Sequence, residues 1–194
     1  KYSEKNRVRS RINEISKNLT IKAVEHQREY CGEGKYSGKR LCEYHILSSY
    51  NCFLVGNQVL DYCSVEMIKK TLSLGVRYIE IPVFDYTEEP VCYLDYNGVR
   101  TSLNYIKLID IVEMLGKVAF SDRFINNNED PLFLFLNIKT SRVSTINKLA
   151  DYLNKYLKRY FLESKYNDDI LPTTTLCELK KKLVVLSNKS FKNT

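Results

Sequence analysis

Leu47-Ser48-Ser49-Tyr50-Asn51-Cys52-Phe53-Leu54-Val55-Gly56-Asn57-Gln58 is the stretch around which this chain organises. Residues 44–48 read as a short buried strand, and the polar pair Tyr50 and Asn51 follows at its carboxyl end. A second apolar run at 77–84, containing Tyr78-Ile79-Glu80-Ile81, lies downstream. Between the two, Ser64 is placed to cap a helix whose inner face carries Val65, Ile68 and Leu72, and Gly75 is placed to end it. A strand, a helix and a second strand in this order make the crossover that parallel strands need.

The alternation continues outward. Pro82 cannot donate to a sheet ladder, so the second strand is expected to end near Ile81 or to bulge there. Residues 91–94 read as a third short strand. Asn104 is placed to cap a helix striped by Leu108, Ile111, Val112, Leu115 and Val118. The run Leu-Phe-Leu-Phe-Leu-Asn-Ile at 132–138 is apolar on both faces until Asn137, as a parallel strand covered on both sides must be. Ile146, Leu149, Leu153, Leu157 and Tyr160 recur at helical spacing, and residues 183–186 supply a last strand. The repeated unit implies an α/β fold of parallel strands alternating with helices, and pattern alone leaves the sheet open or barrelled. Residues 1–40 stand apart: a basic helix over about 6–28, with Val8, Ile12, Ile15 and Leu19 on one side, then a glycine-containing linker at 31–38. Residues 41–194 form the α/β domain.

Thirty Lys and Arg against 23 Asp and Glu give a formal charge of +7, which favours anionic partners without choosing between lipid, phosphate and nucleic acid. No apolar run approaches the roughly 18 residues that span a bilayer. The chain opens at Lys1, as an excised or processed piece would. Cysteines at 31, 42, 52, 63, 92 and 177 form no Cys-x-x-Cys pair, and the only histidines are His26 and His45. These spacings argue against structural zinc and favour reduced thiols in a cytosolic protein.

In parallel α/β folds ligands bind beyond the carboxyl ends of the strands. The polar residues there are Tyr50 and Asn51, Glu80 and Asp85, Asp95 after Leu94, and Asn137 with Lys139. Such an oxygen-rich mouth suits a hard cation such as calcium. Each residue also has a structural reading: Asn51 as a turn residue, Glu80 paired with Arg77 or a neighbouring lysine, Asn137 satisfying a strand end.

Several blocks, in order, resemble the X region of phosphoinositide-specific phospholipase C. Ser48-Ser49-Tyr50-Asn51-Cys52-Phe53-Leu54-Val55-Gly56-Asn57-Gln58 is similar to the family's Ser-Ser-His-Asn-Thr-Tyr-Leu-x-Gly-x-Gln. Leu74-Gly75-Val76-Arg77-Tyr78-Ile79-Glu80, Pro90-Val91-Cys92-Tyr93-Leu94, Asp130-Pro131-Leu132-Phe133-Leu134-Phe135-Leu136-Asn137 and Leu179-Lys180-Lys181-Lys182-Leu183 resemble later blocks, over about residues 41–189. The resemblance implies a TIM-barrel-like fold of which this chain supplies the X half, with no evident Y half. It implies phosphodiester cleavage of a phosphoinositide through a cyclic inositol phosphate. There one histidine stabilises the pentacovalent state, a second protonates the leaving group, and calcium activates the attacking hydroxyl.

Carried over by position, the two histidines are Tyr50 and Leu94. Of the calcium ligands, Asn51 and Glu80 match, an aspartate is replaced by Pro82 and a glutamate by Asn137. The lysines near the end of the family's X region fall at Leu186 and Asn188. Loss of one general acid or base costs about 10²–10⁴-fold, so the expectation is a catalytically degenerate X-like domain with a binding or scaffolding role. Calcium binding is expected to be weak at most, and no cofactor is implied. Two other readings stand beside it. One is a divergent phosphodiesterase pairing Tyr50 with Asp85, Asp95 or Lys139. The other is a basic membrane-surface module using Lys148, Lys155 and Arg159 on one helix face, with Lys180, Lys181 and Lys182 as a phosphate or lipid-surface cluster. The expected partners are an acidic phospholipid surface or a protein, without nucleic acid, in the cytoplasm or peripherally on a membrane.

Overall fold

The computed structural model describes residues 2–18, 31, 38–166 and 168–188. Helix α1 (Tyr2–Asn18) comes first, so the predicted helix starts earlier, and its expected continuation to 28 lies outside the described residues, as does most of the linker. Strand β1 (Ser48–Ser49) is shorter than expected: residues 45–47 are irregular and His45 is exposed rather than part of a strand. Helix α2 (Val65–Ser73) buries Met67, Ile68 and Leu72, and Gly75 ends it at φ 93, a left-handed geometry open to glycine.

Strand β2 (Tyr78–Tyr86) then runs straight through Pro82, against the expected stop. The reason is which way the backbone faces. The Phe133 N–H donates to Arg77 O at 2.8 Å and the Lys139 N–H to Val83 O at 2.8 Å. Odd-numbered residues of β2 therefore bond to one neighbour, and Pro82 turns its missing N–H to the other side. There β1 has already ended, level with Ile79.

The third strand, β3 (Glu89–Cys92), corrects the all-parallel reading: it is antiparallel to β2, with Phe84 opposite Val91. Thr87 and Glu88 make the turn at φ 50 and 65, the positive values of a two-residue hairpin loop. A small hairpin of β4 (Asp95–Tyr96) and β5 (Val99–Arg100) turns at Asn97-Gly98, and β6 (Ile106–Lys107) pairs back on β3. Helix α3 (Leu108–Val118) buries the predicted stripe, but Lys107 precedes it as the cap. Asn104 instead accepts the Cys63 N–H at 2.6 Å and donates to Cys63 O at 3.0 Å.

Strand β7 (Leu132–Ile138), helix α4 (Val143–Leu157) and strand β8 (Leu183–Ser187) complete the order, close to their predicted spans. The parallel strands lie β1-β2-β7-β8, and β3 and β6 extend the sheet from the far end of β2. One face (Ile79, Ile81, Val83; Leu132, Leu134, Leu136, Ile138; Leu183) is buried in the core with residues of α2, α3 and α4. At Gly116 helices α3 and α4 touch: a Cβ there would stand 2.8 Å from Tyr156 O.

Cys31 and Cys177 form a disulfide across 146 residues, which corrects the expectation that all six cysteines are reduced. Their sequence spacing hides the contact. The chain around 39–41 runs back along 174–176, with the Leu41 N–H donating to Thr174 O at 2.8 Å and an Arg40–Thr175 bridge. No helix among the described residues is long and apolar enough to cross a membrane.

Candidate functional site

Register decides which side chains meet. Residues paired across parallel strands share a face, and the face turned away from the core carries Tyr78, Glu80 and Pro82 on β2 and Phe133, Phe135 and Asn137 on β7. Its lower part is apolar, with Tyr78 and Phe133 stacked at 6.5 Å. Its carboxyl end is polar. The Asn137 amide Nδ2 donates to Glu80 Oε1 at 2.7 Å, and Asn188, just past β8, donates to Asn137 Oδ1 at 3.2 Å. Asn188 also accepts the Ile138 N–H at 2.8 Å, which fixes it to β7. The result is a chain of one carboxylate and two amides running from the first half of β2 across the end of β7 to the residue after β8.

Tyr50 and Asn51 leave the sheet where β1 ends, beside the level of Glu80. Tyr50 is 68% exposed. Asn51 is buried at φ 51, in the left-handed region that asparagine tolerates, and its carbonyl accepts the Leu54 N–H at 3.0 Å. The turn reading of Asn51 therefore holds for its backbone. The pairing of Glu80 with Arg77 does not: Arg77 is buried and donates to Ala119 O and Asn127 O.

Leu94 is 8% exposed and belongs to the apolar core. Its backbone pins the following loop: its N–H donates to Ser102 Oγ at 3.1 Å and its carbonyl accepts the Thr101 N–H at 2.9 Å. The two residues at the family's histidine positions thus point to different surroundings, one to solvent and one to the core. Asp85 is held by the Thr145 hydroxyl and lies 3.5 Å from Arg142 Nε. Asp95 accepts the Gly98 N–H at 3.2 Å within its own hairpin. Lys139 is exposed. Among the described residues none of these three bonds to Tyr50.

A calcium ion does not fit the donors present. Glu80 is the one carboxylate of the polar cluster, and an amide N–H₂ already points at it where a cation would sit. Among the described residues no three or more His, Cys, Asp and Glu gather in a way that could hold a metal.

The basic candidates lie elsewhere. Lys180, Lys181 and Lys182 precede β8 and so stand at the amino ends of the strands, opposite the polar mouth. Lys180 and Lys181 pair with Glu129 at 2.8 and 3.9 Å. Lys148 lies 3.9 Å from Glu89, and Arg159 donates to Gly116 O at 2.9 Å, so that helix face is partly spent on structure. His26 lies outside the described residues. The link from Asn188 through Asn137 to Glu80 was missed in the sequence. Asparagine in place of lysine at 188 was visible, but its partner across the sheet was not.

A sequence profile of the family described as phosphatidylinositol-specific phospholipase C, X domain, matches residues 38–189. The mouse 1-phosphatidylinositol 4,5-bisphosphate phosphodiesterase eta-1 is 34% identical over 119 residues, 61% of this chain and 6% of that protein. The 1-phosphatidylinositol 4,5-bisphosphate phosphodiesterase 1 of Saccharomyces cerevisiae is 31% identical over 160 residues, 80% of this chain and 16% of that protein. The chain therefore spans only a small part of these relatives. Among solved structures, PLC21 of S. officinalis superposes with a TM-score of 0.66 at 23% identity, covering 89% of this chain and 21% of that one. The phosphatidylinositol-specific phospholipase C of Listeria monocytogenes superposes with a TM-score of 0.54 at 19% identity, covering 78% and 53%. Both support the barrel-like α/β fold. With the profile covering most of its length, the chain belongs to the phosphatidylinositol-specific phospholipase C X-domain family.

Proposed function

We propose that this X domain does not hydrolyse phosphodiesters and serves instead as a binding module at an acidic, phosphoinositide-containing lipid surface. The observation that carries the proposal is Leu94, a buried alkyl group at the position where the family resemblance expects the general acid. No rotation of an alkyl side chain supplies a proton. The amide of Asn137 on Glu80 supports the same reading, because it occupies the carboxylate a metal would need. Asp85 is taken up by Thr145 and Arg142 at the start of α4, and Asp95 by Gly98 within its own hairpin, which leaves Tyr50 without an evident acid–base partner.

The test is inositol phosphate release from phosphatidylinositol 4,5-bisphosphate vesicles with calcium. The expected result is no turnover above background, and the same outcome for Glu80→Ala. Turnover comparable to a competent family member, abolished by Glu80→Ala, would establish the enzyme reading in its place.

A further inference from the structure

The C-terminal ends of α3 and α4 enclose a cleft of about 530 Å³. It lies away from the Glu80 and Asn137 cluster. Arg77, just ahead of β2, donates to Ala119 O, just past α3, so these helix ends stand at the amino ends of the strands. The helices meet where Gly116 admits the backbone of Tyr156, and both residues line the cleft.

Its charge is one-sided. Lys117, Lys155, Lys158 and Arg159 line it with one carboxylate, Glu113, which already pairs with Lys117. Among the described residues neither Lys155 nor Lys158 forms an ion pair. Arg159 is fixed in place: Nη2 donates to Gly116 O at 2.9 Å, and the guanidinium lies 4.6 Å from the centre of the Tyr160 ring. That bond uses one of the five N–H donors of a planar fork suited to phosphate oxygens. A helix end draws cations by itself, and Lys117 and Lys155, in the last turns of α3 and α4, answer to that. The magnitudes leave a surplus. Each helix end carries about half a negative charge, so the two together offset about one cation. Four cations less the Glu113 carboxylate leave three, of which about two remain for a ligand.

We propose that this cleft binds a compact, multiply phosphorylated group, at a site separate from the polar mouth of the sheet. Arg159 takes a phosphate through its fork, and Lys155 and Lys158 supply mobile point charges around it. Charge alone would be met by a single phosphate, which carries about 1.5–2 negative charges at neutral pH. The volume asks for more. It falls within the roughly 300–1,000 Å³ of sites that enclose whole small molecules, so phosphates carried on a small scaffold fill it where one does not. The inference does not use the lipid-surface reading above and stands or falls apart from it.

The experiment is isothermal titration calorimetry of the whole chain with inorganic tripolyphosphate and, separately, with inorganic phosphate. Wild type is expected to take one tripolyphosphate, about tenfold or more tighter than phosphate, and to release it as salt rises. Lys155→Ala with Lys158→Ala should weaken binding about tenfold or more, and Glu113→Gln should tighten it. Lys5→Ala with Arg9→Ala removes the same net charge from exposed positions of α1 and should bind like wild type. Both pairs should keep the wild-type circular dichroism, because all four side chains are exposed. Vesicles containing phosphatidylinositol 4,5-bisphosphate then separate the two sources of such a group. Vesicles that displace tripolyphosphate identify a lipid headgroup as the occupant, vesicles that do not identify a soluble compound, and either result upholds the site. Tripolyphosphate that binds wild type no tighter than phosphate, or an equal loss in the Lys155/Lys158 and Lys5/Arg9 pairs, overturns the inference.

Discussion

Leu94 and Tyr50 show how one substitution can be tolerated by fold and fatal to chemistry. Leu94 fits its place because its backbone bonds hold the loop and its side chain extends the core. Putting histidine back therefore does not put back a catalyst. Leu94→His places an imidazole among apolar groups and is expected to lower stability by about 1–3 kcal/mol. It should restore no inositol phosphate release; urea unfolding and the vesicle assay read the two outcomes. The cysteines make a second residue-scale prediction. Burial pushes the Cys52 thiol up to about 12 and the Cys63 thiol up to about 11, and burial, with the Cys63 and Cys52 thiols nearby, also holds Cys92 well above the ordinary thiol value. Cys42 is the exposed free thiol. Native protein without reductant should consume one equivalent of a thiol reagent rapidly, and unfolded protein four, since thiolate is the reactive form. At this scale the sequence disclosed that Tyr50 and Asn51 follow the first strand and that Asn137 closes β7, but it put Glu80 at a strand end, where the structure has it third in a longer β2. It could not disclose that Asn137 bonds Glu80, because that depends on register between strands far apart in the chain.

Elements were legible where one side of the chain is buried. Helices α2, α3 and α4 announce themselves because their apolar residues follow the helical period, and strand β7 because its short apolar run is continuous, as a strand covered on both faces requires. The region between β2 and α3 was misread, because short hairpin strands carry little periodicity. The informative signal there was Asn97-Gly98, a dipeptide suited to the two positive φ values of a tight hairpin, at 52 and 81. Pro82 misled for a different reason: a proline rule applies to the side of a strand that is paired, and sequence does not say which side that is. Gly116 is a position where an element interface can be tested. Alanine there would meet the backbone of α4 and should lower stability by about 1–3 kcal/mol, read as an earlier urea midpoint with an unchanged slope. Helix α1 depends on Asp61. Burial works against that carboxylate, but the N–H groups of Asn57 and Tyr62 and the Arg7 guanidinium outweigh it and hold its pKa below the ordinary value. A depressed folded pKa means stability that is present above the ordinary carboxylate value of about 3.9 and lost as pH falls below it through the folded value. Asp61→Asn should flatten the acid limb of the stability curve over that window and loosen α1 at neutral pH, measured by hydrogen exchange of the α1 amides.

Across the whole molecule, the disulfide is the connection that the α/β pattern did not foreshadow. Cys31 and Cys177 join the segment ahead of the domain to the turn that leads into β8, so the bridge encloses most of the strands and helices in one covalent loop of 146 residues. A reduced cytosolic protein was the natural reading of scattered cysteines, and a structural bridge is instead at home in an oxidising compartment. The two views make opposite demands on stability. In the chain-entropy account, a loop of this length restricts the unfolded state by about 4–5 kcal/mol, a large share of the roughly 5–15 kcal/mol that holds a domain folded. Reduction, or Cys31→Ser with Cys177→Ser, is accordingly expected to lower the urea midpoint and to steepen the transition, because the reduced unfolded chain exposes more surface. The fold itself should survive, since neither cysteine belongs to the apolar core or to a strand of the sheet. If the midpoint with dithiothreitol equals the midpoint without it, the bridge contributes nothing to the resting protein and the cytoplasmic placement stands unopposed. If it falls by the expected amount, the bridge is a stabilising part of the folded domain, as structural bridges are in proteins that mature where thiols are oxidised.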